Sequence, residues 1–251
     1  MRPPVPARRN AFARIASLLA IGLAAAGCAR PAAVSPAGAP PARSVLLFPL
    51  NVVVPMPTGL ESGAASVSEA LHAYLEAHAS RVETLDPAAA RAAWLAAAQE
   101  LKAELGETQM SFDGAARVLA RTLHRERRFD ALVLPWLVLR PAKVHGRTVT
   151  WDGVTRTLRV VGGDQRTHFL LADFEAQAAA PSLQVAVFAA DGGKLSEAVG
   201  GLDLIHLMVI VGDPPQIDAQ VLPSSQILAD HANVSEGIAL ALDPFLAKPQ
   251  P

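Results

Sequence analysis

The chain has 251 residues, 51% of them hydrophobic, a formal net charge of −1 and one cysteine. That length and apolar content support a substantial core, and a single thiol excludes an intrachain disulfide or a thiolate cage for a metal. Without a basic excess, nucleic acid is a poor partner.

The amino terminus carries Arg2, Arg8, Arg9 and Arg14 and no acid, followed by an apolar run from Ile15 to Gly27 and then Cys28. A basic segment, a short apolar run and small residues make up a secretory signal. A lasting span needs roughly 18–20 apolar residues, and this run is shorter. Ala25-Ala26-Gly27-Cys28 resembles the bacterial lipobox, although Ala25 stands where leucine is commonest. The resemblance implies a diacylglycerol on Cys28 and hence a membrane partner held through that lipid anchor. An ordinary cleaved signal, with Cys28 incidental, is the alternative. Arg8-Arg9-Asn10-Ala11-Phe12 loosely resembles a twin-arginine signal, but its apolar residues sit one place late, so the general secretory route is expected.

Removal of residues 1–27 leaves 224 residues with 18 basic and 23 acidic side chains, a formal charge near −5. Residues 28–43 are the expected lipidated cysteine and tether, whose stretch after Cys28 holds four prolines in fifteen residues and no apolar period. Such composition favours extended, solvated chain. Ala29 follows the cysteine where an inner-membrane sorting signal would have aspartate, which by resemblance implies the outer membrane.

Residues 44–251 are read as one α/β domain. Ser44 to Leu50 is an unbroken apolar run, the pattern of a strand buried on both faces, and Asn51 to Gly59, with Pro55 and Pro57, is the loop after it. Leu60, Ala64, Val67, Leu71, Tyr74, Leu75 and His78 fall at helical spacing. Arg81 to Leu85 reads as a second strand. Asp86-Pro87 then supplies a cap and a first-turn proline for a helix with the stripe Trp94, Ala98, Leu101 and Leu105, stopped by Gly106. A Ser111 cap opens a third helix carrying Val118, Leu119 and Leu123 and ending in the basic turn from His124 to Arg128.

Phe129 to Leu139 is a further apolar strand, and Pro135 argues for an irregularity or an edge there. Val144 to Val161 alternates around Asp152-Gly153, which predicts a hairpin with Trp151 opposite Val154. Its threonines (148, 150, 155, 157) occupy one face and Arg147 and Arg156 the other, which argues against a pore-forming hairpin. Residues 162–181 have no clear period. Leu183 to Ala189 and Leu202 to Val211 are expected to pair around the Asp191-Gly192-Gly193 turn, and Ser224 to cap a final helix carrying Ile227, Leu228, His231, Val234, Ile238, Leu242 and Phe245.

The expected fold is therefore α/β, a mixed parallel and antiparallel sheet flanked by helices. This order after a proline-rich tether resembles the group holding the curli-secretion lipoprotein, the amino-terminal domain of TolB and the lipoproteins that activate peptidoglycan synthases. The likeness rests on the Val45 to Pro49 strand, Phe129-Asp130-Ala131-Leu132-Val133, and Val185 to Leu195, with Gly192 where that group's turn has threonine.

No nucleophile elbow, phosphate loop or zinc-protease motif occurs, so no catalytic, metal-binding or cofactor-binding residue is assigned. His72 and Glu76 share a helix face, with Glu69 and His78 nearby, but a solvated face is the simpler reading than a metal site. Asp203 and His206, three apart in an assumed strand, would point to opposite sides and form a poor acid-base pair. Arg125, Arg127 and Arg128 fit an anion or a solvated helix end, and Trp136 and Trp151 fit the core. Gly162-Gly163-Asp164 lacks the strand-to-helix setting of a dinucleotide loop. The expectation is a lipid-anchored envelope protein, not an enzyme, that binds another envelope protein or copies of itself. The alternatives are a hydrolase or transferase with a dispersed site near Asn51, Thr58 and Glu61, or a small-ligand-binding lipoprotein.

Overall fold

The first strand, β1 (Ser44–Leu47), is hydrophobic at every position after its serine because both its faces are covered. Val45 and Leu47 join one apolar cluster, and Leu46 and Phe48 join a second on the opposite side. The computed structural model describes residues 44–163, 171–212, 214 and 216–246, all within one contact unit, Gly38–Pro251. The signal run, Cys28, the tether through Arg43, and Asp164 lie outside the described residues.

The fold is α/β with mixed sheets. β1 pairs in parallel with β2 (Arg81–Thr84) and with the start of β3 (Ala131–His145). Helix α1 (Glu61–His78) links β1 to β2, and helices α2 (Pro87–Leu105) and α3 (Phe112–Glu126) link β2 to β3. Parallel neighbours need such crossovers. Val67, Leu71 and Leu75 of α1 cover one face, together with Val234, Ile238 and Leu242 of α4 (His231–Leu242). The other face is covered by α2 and α3 through Ala97, Leu101, Leu119 and Leu123. The Asp86 carboxylate accepts from the Ala88 and Ala89 amides at 2.9 and 3.1 Å, and Ser111 Oγ from the Gly114 amide at 3.1 Å, so both expected caps form. The α2 stripe differs in one place: Leu105, at the helix end before Gly106, is exposed, and Ala90 and Ala97 carry the contact with Leu101.

β3 and β7 (Glu175–Ala189) pair antiparallel over all fifteen residues of each. The strand at the end of the chain's alanine-rich stretch is therefore twice as long as expected. Alanine has little preference for a strand, and the far half of β3 imposes one on Glu175 to Pro181. Pro135 sits inside β3, not at a sheet edge. Its nitrogen faces the side where β1 has ended, and its carbonyl accepts from the Asn51 amide at 3.3 Å, so the missing N–H breaks no ladder bond.

Beyond that point β3 turns at Gly146 into β4 (Thr148–Trp151), which turns at Asp152-Gly153 into β5 (Val154–Thr157). The expected turn and the Trp151–Val154 pair form, with positive φ of 35° and 87° at Asp152 and Gly153 as a type I′ turn requires. The hairpin is nevertheless only four pairs long, because Val144 and His145 belong to β3. Its threonine face is exposed, whereas Arg156 faces inward beside Val149 and Val154.

The second expected hairpin has a different partner. After the Asp191-Gly192-Gly193 turn, β7 pairs with β8 (Lys194–Gly201). Residues 202–205 leave the large sheet, and β9 (His206–Val211) enters a separate sheet in the order β10-β9-β6, with β6 at Val160–Gly162 and β10 at Gln216–Val221. A third apolar cluster, with Val144, Trp151, Ala180, Met208 and Ile210, joins this sheet to the far half of the large one. The last helix also starts later than expected. Ser224–Gln226 is a short 3-10 turn, and Asp230 caps α4 by accepting from the Ala232 and Asn233 amides at 3.0 and 3.1 Å.

Candidate functional site

In the loop after β1, where ligands of parallel sheets commonly bind, Asn51 and Glu61 are engaged by the fold and Thr58 is exposed. Asn51 has φ of 55°, and its side chain extends the ladder of β3: Oδ1 accepts from the Leu137 amide at 2.8 Å and Nδ2 donates to the Leu137 carbonyl at 3.2 Å. Nδ2 also lies 3.3 Å from the Val54 and Pro55 carbonyls. Glu61 accepts from the Gly59 amide at 2.7 Å.

The other candidates are dispersed. His72 Nδ1 lies 3.5 Å from Glu76 on an exposed helix face. His78, the last residue of the expected helical stripe, is exposed, with its ring 4.3 Å from that of Tyr74 and Nδ1 2.7 Å from the Tyr74 carbonyl. Among the described residues no group of three or more His, Cys, Asp or Glu side chains is placed to hold a metal. Arg127 pairs with Glu83, while Arg125 and Arg128 are exposed. Trp136 and Trp151 are buried, and Trp151 Nε1 donates to the Pro181 carbonyl at 3.2 Å.

Asp203 and His206 do come together. Because residues 202–205 cross between sheets and are not a strand, the alternation that would separate them does not apply. Both line an open cavity of about 770 Å³ bounded by β5, the start of β9 and the amino end of α4. Arg156, Arg159, Asp230, Asn233 and Gln226, with Thr155 and Thr157, complete its polar lining. Arg156 is almost wholly buried and organises it: Nε donates to the Leu202 carbonyl at 3.1 Å, one terminal nitrogen to Glu236 at 2.6 Å, and the other to the Asn233 carbonyl at 3.2 Å. Asn233 Nδ2 in turn donates to Asp203 Oδ1 at 3.0 Å, and the Leu204 amide does so at 2.8 Å. Burial pushes the Asp203 carboxyl above the usual range and the Asp230 charge adds to this, against the opposing pull of those hydrogen bonds and of Arg156. A half-buried carboxylate held in an unfavourable environment within a cleft is a feature of binding sites.

The small sheet presents a second feature. All six residues of β10 are exposed, and among the described residues β10 is paired only on its β9 side. Ile217, Ala219 and Val221 share one face of it, and Gln216, Asp218 and Gln220 the other. Two edges of the large sheet are more heavily charged: β2 carries the Arg81–Glu83 pair with Arg127, and β8 the Lys194–Glu197 pair with Asp113, while its third edge, β5, has the single charge of Arg156. β10 has a single charge, Asp218.

The alternation Gln-Ile-Asp-Ala-Gln-Val carries the strand pattern of β10, although prolines at 214, 215 and 223 flank it in sequence. Asp230, three residues before Asn233, was likewise a readable cap. Nothing local marked Arg156 and Arg159 as cavity residues. Among the described residues no helix is long and apolar enough to cross a membrane. Comparison with protein-family models, with curated proteins and with solved structures finds no match to this chain.

Proposed function

We propose that this chain is a bacterial envelope protein, anchored to the outer membrane through a lipid on Cys28 and facing the periplasm, whose α/β domain acts by binding rather than catalysis. The observation that carries the binding role is β10: an exposed, nearly uncharged strand whose outer edge is unpaired among the described residues is a template for another strand. Natural sheets usually blunt such edges with charge, as β2 and β8 do here. The anchor is supported by the order of basic segment, apolar run, small residues and cysteine. A non-catalytic role is supported by the engagement of Asn51 and Glu61 with backbone groups.

The test is a photo-reactive amino acid at Ala219 in the full chain in its native cells, with Leu95 on the exposed face of α2 as control. A protein adduct specific to position 219, lost from the membrane fraction when Cys28→Ser blocks lipidation, is the expected result. No adduct at 219 above that at 95 rejects the edge as a binding surface, and an unchanged membrane fraction in Cys28→Ser rejects the anchor.

The cavity favours a second reading, a small polar ligand held between Asp203, Asp230 and Arg159. Retention of a radiolabelled amino acid or sugar by the purified protein, abolished by Asp203→Asn, would support that reading over the first.

A further inference from the structure

We propose that β10 pairs antiparallel with β10 of a second copy of this chain, Ala219 opposite Ala219, so that two three-stranded sheets become one of six strands. This names the partner of the edge described above and rests on that edge being a binding surface.

The geometry selects both partner and register. The Leu222 amide donates to the Ile205 carbonyl at 2.8 Å, continuing the pairing in which Val221 faces His206. In an antiparallel ladder the backbone groups of alternate residues point to opposite edges. Residues 216, 218 and 220 therefore bond to β9, and Ile217, Ala219 and Val221 direct their N–H and C=O groups to the free edge.

Two copies related by a two-fold axis normal to the sheet keep like faces together, so each residue pairs with one of the same parity. Centring on Asp218 would set two carboxylates opposite each other in a non-hydrogen-bonded pair, where side chains lie closest. Centring on Gln220 leaves Ile217 without a partner. Centring on Ala219 uses every outward group, with Ile217 opposite Val221, Ala219 opposite itself and Val221 opposite Ile217. It also puts Asp218 opposite Gln220, a hydrogen-bonding pair in place of a repulsive one. Val221 is 61% exposed and Ile217 36%, and these overhanging side chains would cover each other.

A six-residue edge buries less than the roughly 1,200 Å² of a standard interface. Pairing is consequently weak in dilute solution and becomes appreciable where copies share a membrane plane, which raises their effective concentration.

Cysteine trapping in native membranes on the full chain tests this. Hydrogen-bonded antiparallel partners have Cα atoms about 5.5 Å apart, within disulfide range. Ala219 is exposed, so Ala219→Cys leaves the core untouched, and the parent chain, whose one thiol is Cys28, is the control. Under mild oxidation Ala219→Cys should give a disulfide-linked dimer several-fold above the parent. Ile217→Cys and Val221→Cys should each link poorly alone and well when the two are co-expressed. Self-linking strongest at Asp218→Cys overturns the register. Absence of dimer from Ala219→Cys overturns self-pairing. The photo-reactive group at 219 then separates the two failures: an adduct with a different polypeptide leaves the edge a binding surface, and no adduct removes that as well.

Discussion

Asn51 shows how one side chain substitutes for missing strand. Past Leu47, β1 has ended, and the amide of Asn51 supplies to Leu137 the donor and acceptor that a neighbouring backbone would have offered. Its positive φ is one that asparagine tolerates better than most residues. Asn51→Ala should therefore destabilise the protein by about 2–3 kcal/mol, since it strips partners from partly buried backbone groups. A lowered urea midpoint with an unchanged slope would verify this. Asp203 has the opposite sign. With its folded pKa raised above the unfolded value, its contribution is fully present at low pH and is lost as pH rises through the folded value. Asp203→Asn keeps the acceptor for Leu204 and Asn233 and removes the unfavourable charge. The variant should melt higher than the parent at pH 7 and level with it at pH 3, and scanning calorimetry at the two pH values compares them.

Helix α4 is set by a close approach between glycines. A Cβ on Gly237 would run into the Gly201 carbonyl oxygen, and one on Gly200 into the carbonyl of Gly237, so backbone meets backbone where β8 leaves the large sheet. That contact also carries α4 over β5, where Asn233 and Glu236 receive Arg156. Gly237→Ala improves intrinsic helix propensity but forces the helix away from β8, and the overpacking should cost about 1–3 kcal/mol. Ser235→Ala, on the exposed side of the same helix, should be close to neutral. Denaturant melts of the pair separate packing from propensity. The same reasoning explains why the final helix was expected too early. Ser224 begins a 3-10 turn, and Leu228, buried with φ of 55°, breaks the helical path before Asp230 restarts it.

Across the whole molecule, the first and last helices are tied by the hydrogen bond that Tyr74 on α1 donates to Asp243, just past α4, at 2.6 Å. Burial first, and then the Asp243 hydrogen bond and charge, hold the Tyr74 proton well above the usual phenol range. The folded state thus retains a proton that the unfolded state releases near pH 10, so this contribution is complete below that pH and is lost as pH climbs beyond it. Tyr74 is the one tyrosine in the chain, which makes its titration directly visible by ultraviolet absorbance. Folded protein should show phenolate appearing later than in urea. In Tyr74→Phe the fall in stability above pH 10 should be shallower.

The local elements were largely legible because each depends on neighbours in sequence. The β1 run, the helical stripes of α1 and α3, the Asp86 and Ser111 caps and the Asp152-Gly153 turn all follow from periodicity and backbone preference. What the residues 202–211 would do was not legible. LDLIHLMVIV reads as one strand, yet its first part crosses between sheets and only its second part pairs, because Gly201 stops at α4 and β10 offers β9 a new neighbour. That single break brings Asp203 and His206 to one cavity, where alternation would have parted them. The long partnership of β3 with β7 had the same origin, since alanines without strand preference pair when a committed strand lies beside them. The class of the fold was written in local pattern, whereas the cavity and the β10 edge arose from contacts between residues far apart in the chain, which no local pattern encodes.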